Sequence, residues 1–182
     1  MKKALLFLLC LSPLFYLLYR ILLGGVDDPV KYIYTVTGYS ALGLLYATTL
    51  ISLAKKKINL VRYRRMIGLF VFFYAFVHFI NFFVFDMEFD VVAALHETLK
   101  KPFIYFGMTA FLILLFMAVT SRRPLFAKYV KYHQLIYVAL LLATVHFVMA
   151  QKALGYREWI LLALMIVAGL MKLLQKSGAL RH

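Results

Sequence analysis

The stretches VFFYAFVHFINFFVF (71–85) and LIYVALLLATVHFVMA (135–150) decide the fold, because each is a long apolar run with one histidine inside it. Runs of this kind are typical of helices that cross a lipid bilayer. An ionisable side chain is costly at membrane depth and marks a functional site there. The two histidines, His78 and His146, are therefore the first candidates for function.

The composition extends this interpretation to the whole chain. Hydrophobic residues make up 65% of the 182 residues and the mean hydropathy is +0.88, well outside the usual balance of a soluble domain. The sequence predicts one all-α integral membrane domain over residues 1–182, with six transmembrane helices and no separate soluble domain. The predicted spans are Ala4–Leu23, Ile33–Ala54, Met66–Phe85, Pro102–Thr120, Tyr132–Ala150 and Trp159–Leu174.

The net charge of +14 is unevenly distributed along the chain. Most lysines and arginines precede the first span, follow the second and fourth spans, or lie at or beyond the end of the sixth. All seven acidic residues lie in the other connections. The positive-inside rule then places both termini in the cytoplasm. The basic charge is explained by topology and anionic lipid, so no nucleic-acid partner is predicted.

The first span carries the single cysteine, Cys10. A cleavable signal peptide is the alternative for this segment, but its apolar run is long and no small-residue cleavage site follows. We expect a retained span. One thiol forms no internal disulfide, and there is no Cys-x-x-Cys pair, so Cys10 is interpreted as packing.

The two buried histidines are predicted to lie at nearly the same depth. Both spans run outward, and at the rise of an α-helix His78 lies about 18 Å beyond Met66 and His146 about 21 Å beyond Tyr132. Two imidazoles level with each other on separate helices suit the two axial positions of a haem. Packed, hydrogen-bonded histidines without a metal are the alternative.

Other chemistry is poorly supported at this depth. Zinc wants three or four ligands, and no carboxylate or second thiol lies beside the histidines. Nucleophilic catalysis lacks an acid within a span to orient a base, so no catalytic residue is predicted.

The remaining histidines are less informative. His133 lies near the cytoplasmic edge, about 20 Å below His146 and roughly 140° from its helix face. It either ligates a second haem in a distorted helix, faces an inner cofactor or quinone pocket, or is an interfacial residue without a ligand. His96 and His182 are predicted to be solvated. Arg64 and Arg65 are interpreted as topology charges, with a flavin phosphate or haem propionate as the alternative partner.

Three motifs resemble one family: RYRRMIGLFVFFYAFVHF (62–79), KKPFIYFGM (100–108) and YHQLIYVALLLATVHF (132–147). Over roughly residues 37–174 the chain resembles the MsrQ (YedZ) family, haem-binding membrane subunits of the bacterial periplasmic protein-methionine-sulfoxide reductase system, within the ferric-reductase-like transmembrane superfamily. The resemblance implies that His78, His133 and His146 occupy the three haem-associated positions of the family. It also implies b-type haem, flavin mononucleotide (FMN) and a multi-pass location in the bacterial inner membrane.

The resemblance further implies electron delivery to a periplasmic molybdenum-containing reductase, for repair of oxidised periplasmic proteins. This chain is then an electron-transfer subunit and the reductase is the catalytic one. No flavin and nicotinamide module follows the sixth span, so we expect membrane quinol or a cytoplasmic flavin reductase as donor. The rival hypotheses are a ferric-reductase-like haem protein with another acceptor, a transporter, and a non-redox scaffold. A transporter predicts broken helices and midplane charges, whereas only histidines lie at depth here.

Overall fold

The computed structural model describes residues 2–53, 63–151 and 155–177, and all regular structure in these ranges is helical. A π-helical turn, Phe82–Asp86, follows α3, and a 3₁₀ segment, Val130–Leu135, joins α6 to α7. The all-helical prediction is confirmed for this part of the chain. The helices are α1 (Lys2–Leu22), α2 (Pro29–Leu53), α3 (Arg64–Asn81), α4 (Val91–Lys100), α5 (Pro102–Val119), α6 (Arg123–Tyr129), α7 (Ile136–Met149) and α8 (Tyr156–Lys176).

In the part of the chain that the structure describes, five helical segments are long and apolar enough to cross a membrane: Lys3–Leu22, Pro29–Leu53, Arg64–Asp86, Pro102–Val119 and Pro124–Met149. They correspond to the first five predicted spans, although the fifth begins earlier than expected. The sixth predicted span, Trp159–Leu174, forms a shorter apolar stretch within α8. The basic residues 55–57 and 62, and residues 181–182, lie outside the described residues.

Two antiparallel helix pairs form the centre of the bundle. Helix α2 packs extensively against α3, and α5 packs against α7. In each pair the start of one helix lies beside the end of the other, since Thr37 contacts His78 and Phe103 contacts His146. This arrangement places the end of α3 and the start of α2 at the same level as the end of α7 and the start of α5.

Helix α1 joins the bundle through the hydroxyl of Tyr74, which is fully buried. The Tyr74 hydroxyl donates to the carbonyl of Cys10 at 2.7 Å and accepts from the backbone N–H of Leu14 at 3.2 Å. It therefore lies between the donor and acceptor of one α1 turn, beside Pro13. A side chain that inserts between a helical N–H and its carbonyl can provide hydrogen bonds to both backbone groups.

Tyr46 connects three helices inside the bundle. Its buried hydroxyl lies 2.9 Å from the Thr144 hydroxyl of α7 and donates to the Leu161 carbonyl of α8, also at 2.9 Å. The Thr144 hydroxyl in turn donates to the Leu140 carbonyl one turn earlier. Polar side chains inside a membrane bundle are stabilised by such partners, so α8 is attached to the core and not only covered by lipid.

Phenyl rings of α3 and α5 form a stacked array on one side of the bundle. Phe79 stacks on Phe111 with centroids 4.7 Å apart and nearly parallel rings, and Phe72, Phe76 and Phe83 extend the array. Aromatic pairs add to stability beyond their buried area. These rings pack on one another as well as providing apolar surface.

The connection between α3 and α5 contains a short helix over Val91–Lys100. The Asp90 carboxylate caps this helix, α4, by accepting from the N–H groups of Val92 and Ala93. Its apolar side chains at Val91, Leu95 and Leu99 are exposed. An amphipathic helix of this kind suits a membrane interface.

Candidate metal centre

His78 of α3 and His146 of α7 meet near the outer ends of the two antiparallel pairs. Their ring centroids are 6.2 Å apart and their planes are nearly perpendicular, at 86°. The sequence predicts that the two residues share a level in the bilayer. The structure adds that the two rings are direct neighbours.

The His78 imidazole is oriented by α2. Its Nδ1 lies 3.1 Å from the Thr37 hydroxyl, and that hydroxyl donates its proton to the Ile33 carbonyl at 2.6 Å. Because the Thr37 hydroxyl already donates its proton to the Ile33 carbonyl, Nδ1 of His78 is the donor in the bond between His78 and Thr37. In the neutral ring this leaves Nε2 with a free lone pair.

The His146 imidazole is oriented by α5 in the same way. Its Nδ1 lies 2.6 Å from the carbonyl oxygen of Phe103. A carbonyl only accepts, so Nδ1 carries the hydrogen and Nε2 again keeps its lone pair. Metal-binding histidines usually donate their second N–H to such a partner, which sets the tautomer and the ring orientation.

Two glycines make room for the rings. A Cβ atom on Gly107 of α5 would lie 2.7 Å from Nδ1 of His146, and one on Gly38 of α2 would lie 3.2 Å from Cε1 of His78. The absence of a side chain lets each imidazole lie against the neighbouring helix backbone. At Gly107 this close approach is what allows His146 to reach the Phe103 carbonyl.

The separation of the two rings fits one shared metal ion. A metal–imidazole nitrogen bond is about 2.0–2.1 Å and the ring centroid lies about 1.1 Å further back, so two rings on opposite sides of one ion have centroids roughly 6 Å apart. Their relative rotation does not matter, because each ring can turn about its own metal–nitrogen bond. His78 and His146 therefore fit two axial positions.

The ligand set also bears on the kind of metal group. Within residues 2–53, 63–151 and 155–177, no three or more His, Cys, Asp or Glu side chains are grouped so that they could hold a metal ion. Two axial imidazoles need a further source of in-plane ligands, which a porphyrin supplies. The residues present thus fit haem better than a protein-only metal site.

Aromatic residues surround the pair. Tyr34 lies edge-on to the His78 ring with centroids 5.0 Å apart, and Phe103 is roughly parallel to the His146 ring at 6.0 Å. Tyr39 and Phe147 meet edge to face at 5.2 Å and join α2 to α7. The surroundings are apolar and suit a planar, hydrophobic group.

His133 is placed differently from the pair. It lies in the 3₁₀ segment before α7, where its Nε2 is 3.1 Å from the Thr120 hydroxyl and its ring packs edge-on against Phe126. The Thr120 hydroxyl donates to the Phe116 carbonyl, so Nε2 of His133 is the donor. His133 thus has the opposite nitrogen engaged from the other two.

The other candidate residues lie apart from the pair along the chain. His96 is exposed on α4, as predicted. Arg64 and Arg65 begin α3, and Arg64 lies near enough to His133 for its charge to act on that ring. Their interpretation as topology charges, and the alternative contact with a flavin phosphate or haem propionate, both stay predictions.

Sequence reasoning overlooked the groups that orient the rings. In a membrane helix, small residues such as Gly38 indicate close packing of any kind, and a backbone carbonyl has no sequence signature. Gly107 stands inside the KKPFIYFGM motif, four residues after Phe103. That spacing, together with a histidine at matching depth, is the signal that could have identified it.

Comparisons with known proteins place the chain in a family. Residues 37–144 match the family described as ferric reductase like transmembrane component. A protein of Yersinia pseudotuberculosis serotype O:1b, named protein-methionine-sulfoxide reductase heme-binding subunit MsrQ, is 36% identical over 79% of this chain and 75% of its own length. A protein of the same name from Yersinia pestis (strain Pestoides F) is 36% identical over 79% of this chain and 74% of its own length. No solved structure matches.

Proposed function

Because the chain belongs to the MsrQ family of heme-binding subunits, within the ferric-reductase-like transmembrane family, we propose that it is a membrane cytochrome b that passes electrons outward across the bacterial inner membrane. The observation that carries this proposal is the His78–His146 pair, with ring centroids 6.2 Å apart and both Nδ1 atoms engaged. The chain acts as an electron-transfer subunit and not as the catalytic subunit.

The protein supplies two imidazole nitrogens and the groups that orient them. Nε2 of His78 and Nε2 of His146 would hold the haem iron, and a bound haem would supply a centre that gains and loses one electron. Thr37 and the Phe103 carbonyl keep each Nδ1 protonated and so keep each Nε2 directed to the ligand role. The surrounding aromatic rings exclude water from the centre.

The haem is of the b type in this proposal. A covalently attached c-type haem needs a Cys-x-x-Cys-His motif, whereas this sequence has one cysteine, Cys10, in the first span. Retention of the haem then depends on axial ligation and apolar packing alone.

The proposed acceptor is a periplasmic molybdenum-containing protein-methionine-sulfoxide reductase, which repairs oxidised periplasmic proteins. The relatives are named as heme-binding subunits of a protein-methionine-sulfoxide reductase. The position of the pair supports outward delivery, because α3 and α7 end at connections that lie outside the main basic clusters, and the positive-inside rule places such connections outside. The proposed donor is membrane quinol or a cytoplasmic flavin reductase, with FMN as a further cofactor.

We assign His133 to an inner site on the electron path. Its place in the 3₁₀ segment at the inner end of α7 and its neighbour Arg64 support this assignment. The family resemblance makes it a third haem-associated histidine. A count of haem per polypeptide tests it: two haems in the wild type and one in His133→Ala support ligation, whereas a haem content that is the same in the wild type and in this variant contradicts it.

The proposed topology is a single domain over residues 1–182 with α8 as the sixth span. The contacts of α8 support it. Leu161, near its start, lies beside Tyr46, which also contacts Thr144, and Lys172 near its end lies over the Tyr137 ring at 4.6 Å. Helix α8 therefore runs antiparallel to α7, back toward the side on which α7 begins.

The function is tested by a visible spectrum of the purified protein from haem-replete cells. We expect a Soret band in the wild type, and loss of most bound haem in His78→Ala and in His146→Ala. His96→Ala is the matched control, because this exposed histidine lies on α4. A colourless wild-type protein, or variants that keep all their haem, would contradict the proposal.

The acceptor is tested separately. Haem reduced chemically in the membrane is expected to be reoxidised when the periplasmic reductase and an oxidised methionine substrate are added. Reoxidation that does not depend on the reductase would remove the acceptor from the proposal and leave the cytochrome in place.

A further inference from the structure

A ring contact and one hydrogen bond connect the His78 ring to the outer surface. The Tyr34 ring lies edge-on to His78 with centroids 5.0 Å apart. The Tyr34 hydroxyl donates to Oδ2 of Asp86 at 2.5 Å. Asp86 is exposed and lines an open outer cleft with Glu88, Asp90, Glu97 and Lys101. One tyrosine thus separates the imidazole from an exposed carboxylate.

The π-helical turn explains how Asp86 reaches this position. On an ideal α-helix, Asp86 would lie roughly 80° around the axis from His78. The wider turn over Phe82–Asp86 advances less per residue and brings Asp86 back toward the His78 face. π-helical turns occur frequently at functional sites, and this one places a charge beside the proposed centre.

A buried amide holds the same region in place. Asn81 is 2% exposed, and its Nδ2 donates to the Val30 carbonyl at 3.1 Å. This bond ties the end of α3 to the start of α2, the helix that carries Tyr34. The contact between Tyr34 and Asp86 is therefore built into the packing of two helices.

We propose that Tyr34 and Asp86 are positioning residues that lower the reduction potential of the group held by His78 and His146. The inference rests on the proposed function, since it concerns a metal held by that pair. Tyr34 keeps the Asp86 carboxylate close to His78, and the carboxylate acts through its charge.

The sign follows from electrostatics. A negative charge stabilises the oxidised metal, which carries one more positive charge than the reduced metal. The effect is larger near a low-dielectric interior than in water. Salt screens it in part, because the carboxylate is exposed. Removal of the charge therefore raises the reduction potential.

Asp86→Asn tests the inference in the haem-loaded protein by a spectroscopic redox titration. The amide keeps an oxygen that accepts from Tyr34, so the substitution removes mainly the charge. We expect the midpoint potential to rise, with a change in the reduction equilibrium of about tenfold, or about 59 mV for one electron. Tyr34→Phe keeps the ring against His78 but releases the carboxylate, and a smaller rise is expected.

Asp90→Asn is the matched control. It removes one charge from the same outer connection, and asparagine still caps α4, so its shift measures the effect of net charge alone. Equal shifts in Asp86→Asn and Asp90→Asn would overturn the inference. If Asp86→Asn does not retain haem, an unchanged potential in Tyr34→Phe overturns it.

The two proposals fail in different ways. A wild-type protein without haem overturns the proposed function, and this inference with it. A haem-loaded wild type whose potential does not respond to the loss of Asp86 overturns only the inference.

Discussion

Each imidazole of the pair is held through its Nδ1 atom by a group on the neighbouring antiparallel helix. Thr37 belongs to α2, the antiparallel neighbour of α3, and Phe103 belongs to α5, the antiparallel neighbour of α7. In both cases a glycine follows on the supporting helix, at position 38 or 107, and faces the ring. The ligand geometry therefore depends on residues that carry no metal-binding chemistry of their own.

Gly107→Ala is expected to weaken haem binding at the residue scale. The new methyl group would lie 2.7 Å from Nδ1 of His146, so the ring has to move away from the Phe103 carbonyl. Over-packing typically costs about 1–3 kcal/mol, and each 1.4 kcal/mol is about a tenfold loss of affinity. Haem retention after purification, read from the Soret band, measures the effect.

Gly43→Ala provides the comparison for this substitution. A Cβ on Gly43 of α2 meets nothing within 4 Å, so the same chemical change in a neighbouring helix is expected to leave haem binding unaltered. Equal haem loss in both variants would mean that helix propensity or insertion, and not the His146 ring, is responsible.

At the scale of elements, the ends and bends of helices place the polar contacts. The π-helical turn after α3 and the 3₁₀ segment before α7 both break the regular α-helical phase. Sequence periodicity assumes a constant angle per residue, so it predicts neither the place of Asp86 nor the environment of His133. The π-helical turn and the 3₁₀ segment both lie at the ends of helices, where tertiary contacts influence the backbone more than the regular helical hydrogen bonds do.

Tyr74→Phe is expected to loosen α1 from the bundle. It removes the hydroxyl that bonds the Cys10 carbonyl and the Leu14 N–H, at a cost of about 1–3 kcal/mol. Cys10, which is 3% exposed, then becomes more reactive. The rate of labelling by a maleimide in detergent measures this. Tyr19→Phe, at an exposed position on the same helix, should leave the rate unchanged, and a rate that is the same in both variants would contradict the role of Tyr74.

The connection from α4 to α5 is expected to weaken in acid. The Lys101 ammonium lies 2.6 Å from the Glu97 carboxylate, and this hydrogen bond is the main reason that the pKa of Glu97 lies below its ordinary value. A lowered folded pKa means that the pair stabilises the fold above the unfolded pKa and that this contribution is lost as the pH falls through the folded pKa.

Carboxyl NMR of Glu97 in detergent measures this titration. The midpoint is expected below that of an exposed glutamate, and Lys101→Met is expected to move it upward. An unchanged midpoint in Lys101→Met would show that the ammonium does not set it.

For the whole molecule, the two antiparallel pairs bring together residues far apart in the sequence. His78 and His146 meet because α3 and α7 run in the same direction and because α2 and α5 each pack against both of these helices. Equal depth follows from counting residues along two parallel helices. The rotation of each helix about its own axis, which decides whether a ring faces its partner or the lipid, follows only from packing.

Both termini of the chain are predicted to lie in the cytoplasm. Reporter fusions at both termini are expected to report a cytoplasmic location, because the basic residues lie on that side and α8 returns alongside α7. A reporter at the C-terminus that is active only outside the cytoplasm would show that α8 does not cross, and a fusion after α7, where an external location is expected, serves as control.

The sequence alone predicts the helical membrane class, the first five spans and the common depth of the two histidines. Hydrophobic length and the rise per residue are local properties, and they suffice for these. The packing of the helices establishes which nitrogen of each ring is engaged and how Tyr34 links His78 to Asp86. It also explains why a side chain at position 107 would clash with His146. Those features depend on distances between helices that are remote along the chain, and no local pattern records such distances.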